Sequence, residues 1–348
     1  MSTKFYDGSK LLSLKDINKN TPEIFISTSN RSAGKTTWFG KKIVNDYLKH
    51  GKKFALLYRY SYEITDVANK FFSDIQGLFF PNYRMTQKSM EKDTFIGLFI
   101  QKLDGTPELC GYALALNKAD NIKKCSHLLS DVSVILFDEF QSEANQYAQN
   151  EIQKFQSIHT SLARGNGEQV KYLPVYMISN FVSLLNPYYT ALHISERLQE
   201  DTNYLRGDGW VLEQGFNASA SEAQKTSAFN RAFGDSRYVQ FSSEKFYLND
   251  NNSFVKKMDG KNIYLFSIRY DGKWYGVRQY PGKGVVYFNK SIDQSCPKKY
   301  AVNVEDMTEE TTLSNPQHRV VLRDLFDRGA LRFSDLEAKA AAFAMLSY

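Results

Sequence analysis

The stretch Ser29-Asn30-Arg31-Ser32-Ala33-Gly34-Lys35-Thr36-Thr37 is suited to holding phosphates. Its end fits G-x-x-x-x-G-K-[ST] at Gly34, Lys35 and Thr36, and Ser29 stands where the first glycine should be. Backbone N–H groups at the entrance to a helix attract anionic oxygens. Lys35 would bridge the terminal phosphates of ATP, and Thr36 would ligate Mg2+. Ser29 then has to make the turn that glycine usually makes. Taken alone, the stretch also reads as an ordinary polar strand-to-helix turn.

A second constellation gives the first a reaction to perform. The apolar run Val132–Phe137 delivers Asp138-Glu139-Phe140 at its end. In a nucleotide hydrolase such an acidic pair divides the work: Asp138 holds Mg2+ through water and Glu139 polarises the attacking water. The two motifs are about a hundred residues apart, in the right order, each at a strand end. Asn180 follows another buried run, Tyr172–Ile178. It would reach the γ-phosphate or its water if that strand lies beside the loop strand; otherwise it is a turn former. Asn117-Lys118-Ala119-Asp120 matches a guanine-reading N-K-x-D, but it precedes the acidic pair, and no D-x-x-G follows Asp138, so a GTPase is excluded.

The elements that must position these residues are legible as periodicities. Apolar residues at helical spacing predict a helix over Lys35–Lys49, stopped by His50-Gly51, and another over Asn150–Ala163, ending at Arg164 beside Gly165 and Gly167. Phe54–Tyr58 reads as a buried parallel strand, and Thr94–Leu103 with Leu109–Leu116 as an inserted hairpin. The basic pair Lys123-Lys124 would leave that insert in a loop able to touch DNA or a neighbouring subunit. Residues 221–250 read as a linker, polar and rich in Gly, Ala and Ser. Strands at Tyr264–Tyr270, Trp274–Tyr280 and Val285–Phe288, divided by Asp271-Gly272 and Pro281-Gly282, predict an antiparallel sheet, followed by helices over Pro316–Arg328 and Ser334–Leu346.

With 348 residues, 42% of them hydrophobic, the chain can bury a full core in two domains. Its 3 Cys are far apart and its 5 His scattered, which gives neither a disulfide framework nor a zinc site. There is no apolar run of membrane-spanning length and no signal-peptide core near Met1, so a cytoplasmic protein is expected. Of the net charge of +6, an excess of seven falls within 253–304, where ten Lys or Arg face three Asp and are interleaved with aromatics such as Tyr264, Phe266 and Trp274. That composition suits a nucleic-acid backbone, with Lys256 and Lys257 as contacts. A solvated antiparallel sheet with lysines guarding its edges is the alternative.

Together these residues resemble the genome-packaging ATPases of small protein-primed tailed phages, the phi-twenty-nine-like group. The likeness runs through Arg31 before Gly34-Lys35-Thr36, Phe137-Asp138-Glu139-Phe140, Arg164, Ile178-Ser179-Asn180, Asn186-Pro187-Tyr188, Phe266-Ser267-Ile268 and Gly329-Ala330-Leu331-Arg332-Phe333. It implies an α/β P-loop ATPase of the additional-strand, catalytic-glutamate class over residues 1–220, with a mainly parallel sheet. A linker over 221–250 would follow, and then, over 251–348, an α+β domain resembling an RNase H-type nuclease that has lost its metal-binding acids. No nuclease activity is expected.

The resemblance further implies a motor that drives double-stranded DNA into a preformed capsid in the host cytoplasm. It would act as a homo-oligomeric ring, a pentamer, on the portal, with a structural packaging RNA as a further possible partner and no membrane. Arg164 would be a finger reaching the neighbour's γ-phosphate, Arg31 a second phosphate contact, and Thr37 part of the cradle. Gln141-Ser142 follow Phe140 where related proteins place an arginine, so the role of that arginine is not carried over. The competing readings are a cellular or plasmid DNA translocase, a small-molecule P-loop kinase and a non-enzymatic nucleic-acid-binding protein.

Overall fold

The computed structural model describes residues 6–347 apart from 145, 165–168, 185, 196, 199–201, 235, 245–246 and 248–254. The chain divides into two compact units, one formed by 1–181 with 202–246 and the other by 182–201 with 247–348.

In the first unit a short helix α1 (Ser9–Ser13) precedes β1 (Ile24–Ser29), α2 (Lys35–His50), β2 (Lys53–Tyr58) and α3 (Val67–Phe79). Then come β3 (Tyr83–Met90), β4 (Phe95–Lys102), β5 (Glu108–Ala115), α4 (Ala119–Lys124), β6 (Val132–Asp138), α5 (Glu151–Leu162) and β7 (Val175–Asn180). After α6 (Pro187–Ala191), which belongs to the other unit, the chain returns with β8 (Tyr204–Gly207), β9 (Trp210–Gln214), α7 (Ala218–Thr226), α8 (Ala228–Ala232) and α9 (Arg237–Ser243).

The nine strands form one sheet in the order β3-β4-β5-β2-β6-β7-β1-β9-β8. From β5 to β9 every pairing is parallel. β7 is interposed between the loop strand β1 and the acid-bearing strand β6, which is the mark of the additional-strand class. Strands covered on both faces need apolar side chains at successive positions, which is why Val134, Ile135, Leu136 and Phe137 are all buried. Phe54, Leu56, Val134, Leu136 and Tyr176 pack with Phe39, Ile43 and Val44 of α2 and Phe71 and Phe72 of α3. On β6, Phe137 alternates to the opposite face and meets Phe155 of α5, ring centroids 6.1 Å apart. Each such fully buried side chain contributes roughly 1.5–3 kcal/mol.

The expected hairpin is present as β4 and β5, but it is no separate appendage. β5 pairs with β2, and an unanticipated β3 pairs antiparallel with β4, so the insert extends the main sheet. Lys123 and Lys124 lie in the last turn of α4, both exposed, and not in a loop.

Within the stretch expected as a linker, 221–250, residues 221–226, 228–232 and 237–243 lie in α7, α8 and α9 and group with the first unit. Its helices announce themselves by caps, since Asn217, Ser227 and Ser236 each accept a hydrogen bond from the backbone N–H three residues on. Residues 235, 245–246 and 248–250 of that stretch lie outside the described residues.

The second unit holds a six-stranded sheet in the order β14-β13-β10-β11-β12-β15. Its strands are β10 (Ile263–Tyr270), β11 (Lys273–Tyr280), β12 (Val285–Asn289), β13 (Lys299–Ala301), β14 (Thr312–Leu313) and β15 (Leu331–Phe333), with α10 (Pro316–Asp327) and α11 (Leu336–Ser347). β10, β11 and β12 form the antiparallel meander read from the sequence, and the flanking strands pair parallel, giving an α+β unit. The β10–β11 turn is built by Asp271 (φ 50°) and Gly272 (φ 70°), whose backbone N–H groups donate to the buried Asp306 carboxylate. Segment 182–201 joins this unit although it interrupts the first in sequence: α6, capped by Asn186 at 2.9 Å, buries Tyr188 and Tyr189 and packs on α11. Among the described residues no helix is long and apolar enough to cross a membrane.

Candidate nucleotide-hydrolysis site

β1 ends at Ser29, which pairs in register with Asn180 at the end of β7. The loop turns through Ser32 (φ 58°) and Gly34 (φ 95°), and Gly34 opens α2. Ser29 therefore does not make the turn expected of it. It is a strand residue, and its Oγ accepts from Lys35 Nζ at 2.7 Å, so a side chain at this position orients the lysine of the loop. Lys35 Nζ also donates to Asn180 Oδ1 at 3.4 Å. Burial pushes the Lys35 pKa down to about 8, against the upward pull of the Asp138 and Glu213 carboxylates.

Beside it, Thr36 Oγ1 donates to Asp138 Oδ2 at 2.8 Å, while Asp138 Oδ1 accepts from the Glu139 N–H at 2.8 Å. A hydroxyl and a carboxylate facing one another at the mouth of a phosphate loop are hard oxygen donors of the kind Mg2+ takes alongside water and phosphate oxygens, so these residues fit the ion. Burial raises the Asp138 pKa, opposed by the Thr36 and Glu139 hydrogen bonds and by Lys35. The Glu139 carboxyl is also held above the ordinary carboxylate range, by burial first and then by Asp138 and Glu143, with Arg31 pulling the other way. A raised pKa brings a carboxylate closer to that of an effective general base near neutrality.

Lys35, Thr36, Asp138 and Glu139 line one cavity of about 430 Å³ with Arg31, Ser32, Ala33, Gly34, Thr37, Ser179 and Asn180, while Ser29 lies behind Lys35 and does not line it. The cavity has further walls that the sequence reading missed: Gln224 of α7, Asn230 of α8, and Tyr238 and Ser242 of α9. Arg31 joins the loop to them. Its guanidinium donates to the Tyr238 hydroxyl and forms an ion pair with Glu143 at 2.8 Å. Asn30 and Asn217 exchange hydrogen bonds of 2.9 and 3.1 Å, and Gln224 Nε2 donates to Ser32 Oγ at 3.1 Å.

Arg164 is not among these groups. It is exposed just past α5, and the Ala163 carbonyl accepts from Lys171 N–H while Lys171 Nζ donates to the Val132 carbonyl. Its neighbourhood is thus the beginning of β6, at the far end of the strand from Asp138, about 20 Å away at 3.3 Å per residue. Within its own chain Arg164 does not meet the phosphate loop. Lys256 and Lys257 are exposed in the second unit.

A phosphate loop on β1, an acidic pair on β6 and a third strand between them carrying Asn180 define a P-loop ATPase of the catalytic-glutamate class. Comparison with known families narrows this. The chain belongs to the podovirus DNA encapsidation protein (Gp16) family, whose profile matches residues 2–347. The DNA packaging proteins of Bacillus phages PZA and phi29 are each 25% identical to it over 347 residues, covering 98% of this chain and 96% of theirs. That of Bacillus phage B103 is 25% identical over 323 residues, covering 90% of this chain and 94% of its own. Among solved structures, a chain of the bacteriophage Phi-29 viral genome packaging motor assembly superposes with a TM-score of 0.61 at 23% identity, covering 99% of this chain and 100% of that one. The Phi-28 gp11 DNA packaging motor gives 0.61 at 17% identity, covering 99% and 98%.

Proposed function

We propose that this protein is an ATP-driven motor that moves double-stranded DNA into a preformed phage capsid, docked on the portal in the host cytoplasm as a ring of five subunits. The observation that carries the reading is the single cavity in which Lys35, Thr36, Asp138, Glu139 and Asn180 converge. Lys35 exchanges Ser29 for the terminal phosphates of ATP, and Arg31 offers a second cation at the same cavity. Thr36 and Asp138 hold Mg2+, which when bound neutralises charge on the phosphates. Glu139 takes a proton from the attacking water, and Asn180 orients that water or the γ-phosphate. Arg164, remote from its own site, serves the site of the neighbouring subunit, so hydrolysis is conditional on the ring.

The charge distribution of the second unit supports DNA contact at one place. Lys273 and Lys290 pair with Glu337 at 3.4 and 2.9 Å, Lys299 pairs with Glu310 at 2.6 Å, and Arg269 donates to the Asp306 carbonyl. Lys256, Lys257, Lys261, Arg278 and Lys283 have no carboxylate at ion-pair distance among the described residues, and residues 256–262 run beside the end of β11, where Lys283 Nζ donates to the Asp259 carbonyl and Arg278 to Asn262. That end of the sheet offers its charge to phosphodiesters, of the DNA or of a packaging RNA, with Lys123 and Lys124 as candidates on the first unit.

The test is ATP hydrolysis with and without double-stranded DNA and portal-bearing capsids. Mg2+-dependent turnover that DNA stimulates and Lys35→Ala abolishes is expected. A phosphorylated small-molecule product in place of DNA stimulation would make the protein a kinase, and translocation that needs no capsid would make it a general DNA translocase.

A further inference from the structure

Arg59 follows β2 directly and is 6% exposed. Its Nε reaches the two carboxylate oxygens of Glu151 at 3.0 and 2.9 Å, and a terminal guanidinium nitrogen donates to the Phe140 carbonyl at 2.7 Å. The Tyr147 ring lies 5.0 Å from the guanidinium carbon. Glu151, itself buried, is the first residue of α5 and also accepts from the Ala148 N–H at 2.6 Å. One side chain thus ties the end of β2, the loop after β6 and the start of α5 around the turn that carries Glu139.

That turn is strained. Glu139 has φ 54°, a left-handed conformation that an L-residue adopts at a cost of about 1–2 kcal/mol and keeps only where its surroundings enforce it. Here the enforcement is visible. The Glu139 N–H donates to Asp138 Oδ1, the Phe140 N–H points to the Ile178 carbonyl of β7 at 3.4 Å, and the Phe140 carbonyl is taken by Arg59. A buried ion pair is a weak source of stability compared with apolar residues of the same volume, whereas a planar guanidinium fixes two acceptors in a set geometry, which lysine cannot do.

We propose that Arg59 is a positioning residue for ATP hydrolysis: by binding the Phe140 carbonyl and Glu151 together, it holds Glu139 in the left-handed turn that presents its carboxylate to the phosphate cavity. The inference rests on the role proposed above for Glu139.

The experiment measures single-turnover ATP hydrolysis and equilibrium binding of a fluorescent ATP analogue in the full chain, for wild type, Arg59→Lys, Glu151→Gln, Glu139→Gln and the double variant Arg59→Lys/Glu139→Gln. Arg59→Lys is expected to hydrolyse about 10²-fold more slowly with the nucleotide Kd unchanged. Glu151→Gln should lose rate in the same way but by less. Adding Arg59→Lys to Glu139→Gln should cost nothing more, because the two act as a unit. If Arg59→Lys does not fold, Glu151→Gln, which keeps the shape and one acceptor, carries the same comparison of rate against Kd. Parallel loss of binding and rate with additive effects in the double variant, or wild-type rates in both Arg59→Lys and Glu151→Gln while Glu139→Gln is inactive, overturns the positioning role alone. Wild-type hydrolysis by Glu139→Gln removes the base assignment and Arg59's role together.

Discussion

Lys35 is the group on which the phosphate site can be tested by thermodynamics as well as by activity. Burial lowers its pKa from 10.5 to about 8 in the folded protein, while the unfolded chain keeps the ordinary value. Below about pH 8 both states are protonated, and the folded state carries the full cost of the buried charge, about 3 kcal/mol. Between about pH 8 and 10.5 the unfolded chain holds a proton that the folded chain has released, so this group makes stability rise with pH, by at most about 1.4 kcal/mol per unit. Lys35→Met keeps the bulk of the side chain and removes the titration. The variant is therefore expected to gain on the wild type at neutral pH and to lose that advantage by about 3 kcal/mol on going to pH 10.5. The assay is urea unfolding of both proteins across that range, without nucleotide or divalent cations. Tyrosine ionisation occurs in both and cancels in the difference. A stability difference between variant and wild type that does not change from pH 7 to pH 10.5 would refute the buried, depressed lysine. The same property predicts that ATP binding near pH 8 takes up about half a proton, because the phosphates hold Lys35 in its charged form, and calorimetry in buffers of different ionisation enthalpy measures that uptake.

Arg164→Ala should bind ATP normally and hydrolyse it about 10³- to 10⁵-fold more slowly, with activity partly restored when it is mixed with Glu139→Ala subunits that keep their own Arg164; mixed rings without rescue count against a finger acting between subunits. Replacing Lys256, Lys257, Lys261 and Lys283 with Gln should flatten the dependence of log DNA affinity on log salt by up to about 3.6, whereas replacing Lys273 and Lys290, already paired with Glu337, should leave it nearly unchanged. Equal losses from the two sets would remove that end of the sheet from the DNA path.

Much of this was legible in the sequence because it depends on local chemistry and period. Gly34-Lys35-Thr36 and Asp138-Glu139 stood out since a phosphate loop and a metal-ordering acid need those residue types at strand ends, and the buried runs of β2, β6 and β7 stood out since strands covered on both faces carry apolar residues at successive positions. The stop of α2 at Gly51 (φ 66°) and the Asp271-Gly272 turn followed from backbone conformations that few residues adopt. The helices over 218–243 escaped because they are short, polar and only partly buried, so no apolar stripe marks them, and only their caps do.

What the tertiary structure alone decided are the meetings of residues far apart in the chain. Ser29 could be read as a defective glycine until its Oγ was found on Lys35, and Arg31 had no partner until Glu143 and Tyr238 came to it across 112 and 207 residues. Nothing in the texture of 182–201 says that it leaves the unit surrounding it in sequence to bury Tyr188 and Tyr189 with α11. Composition and period state what each segment can bury or bond. Which partner satisfies it is settled only when the whole chain has closed, because the competing acceptors and apolar faces lie on segments that local sequence cannot rank.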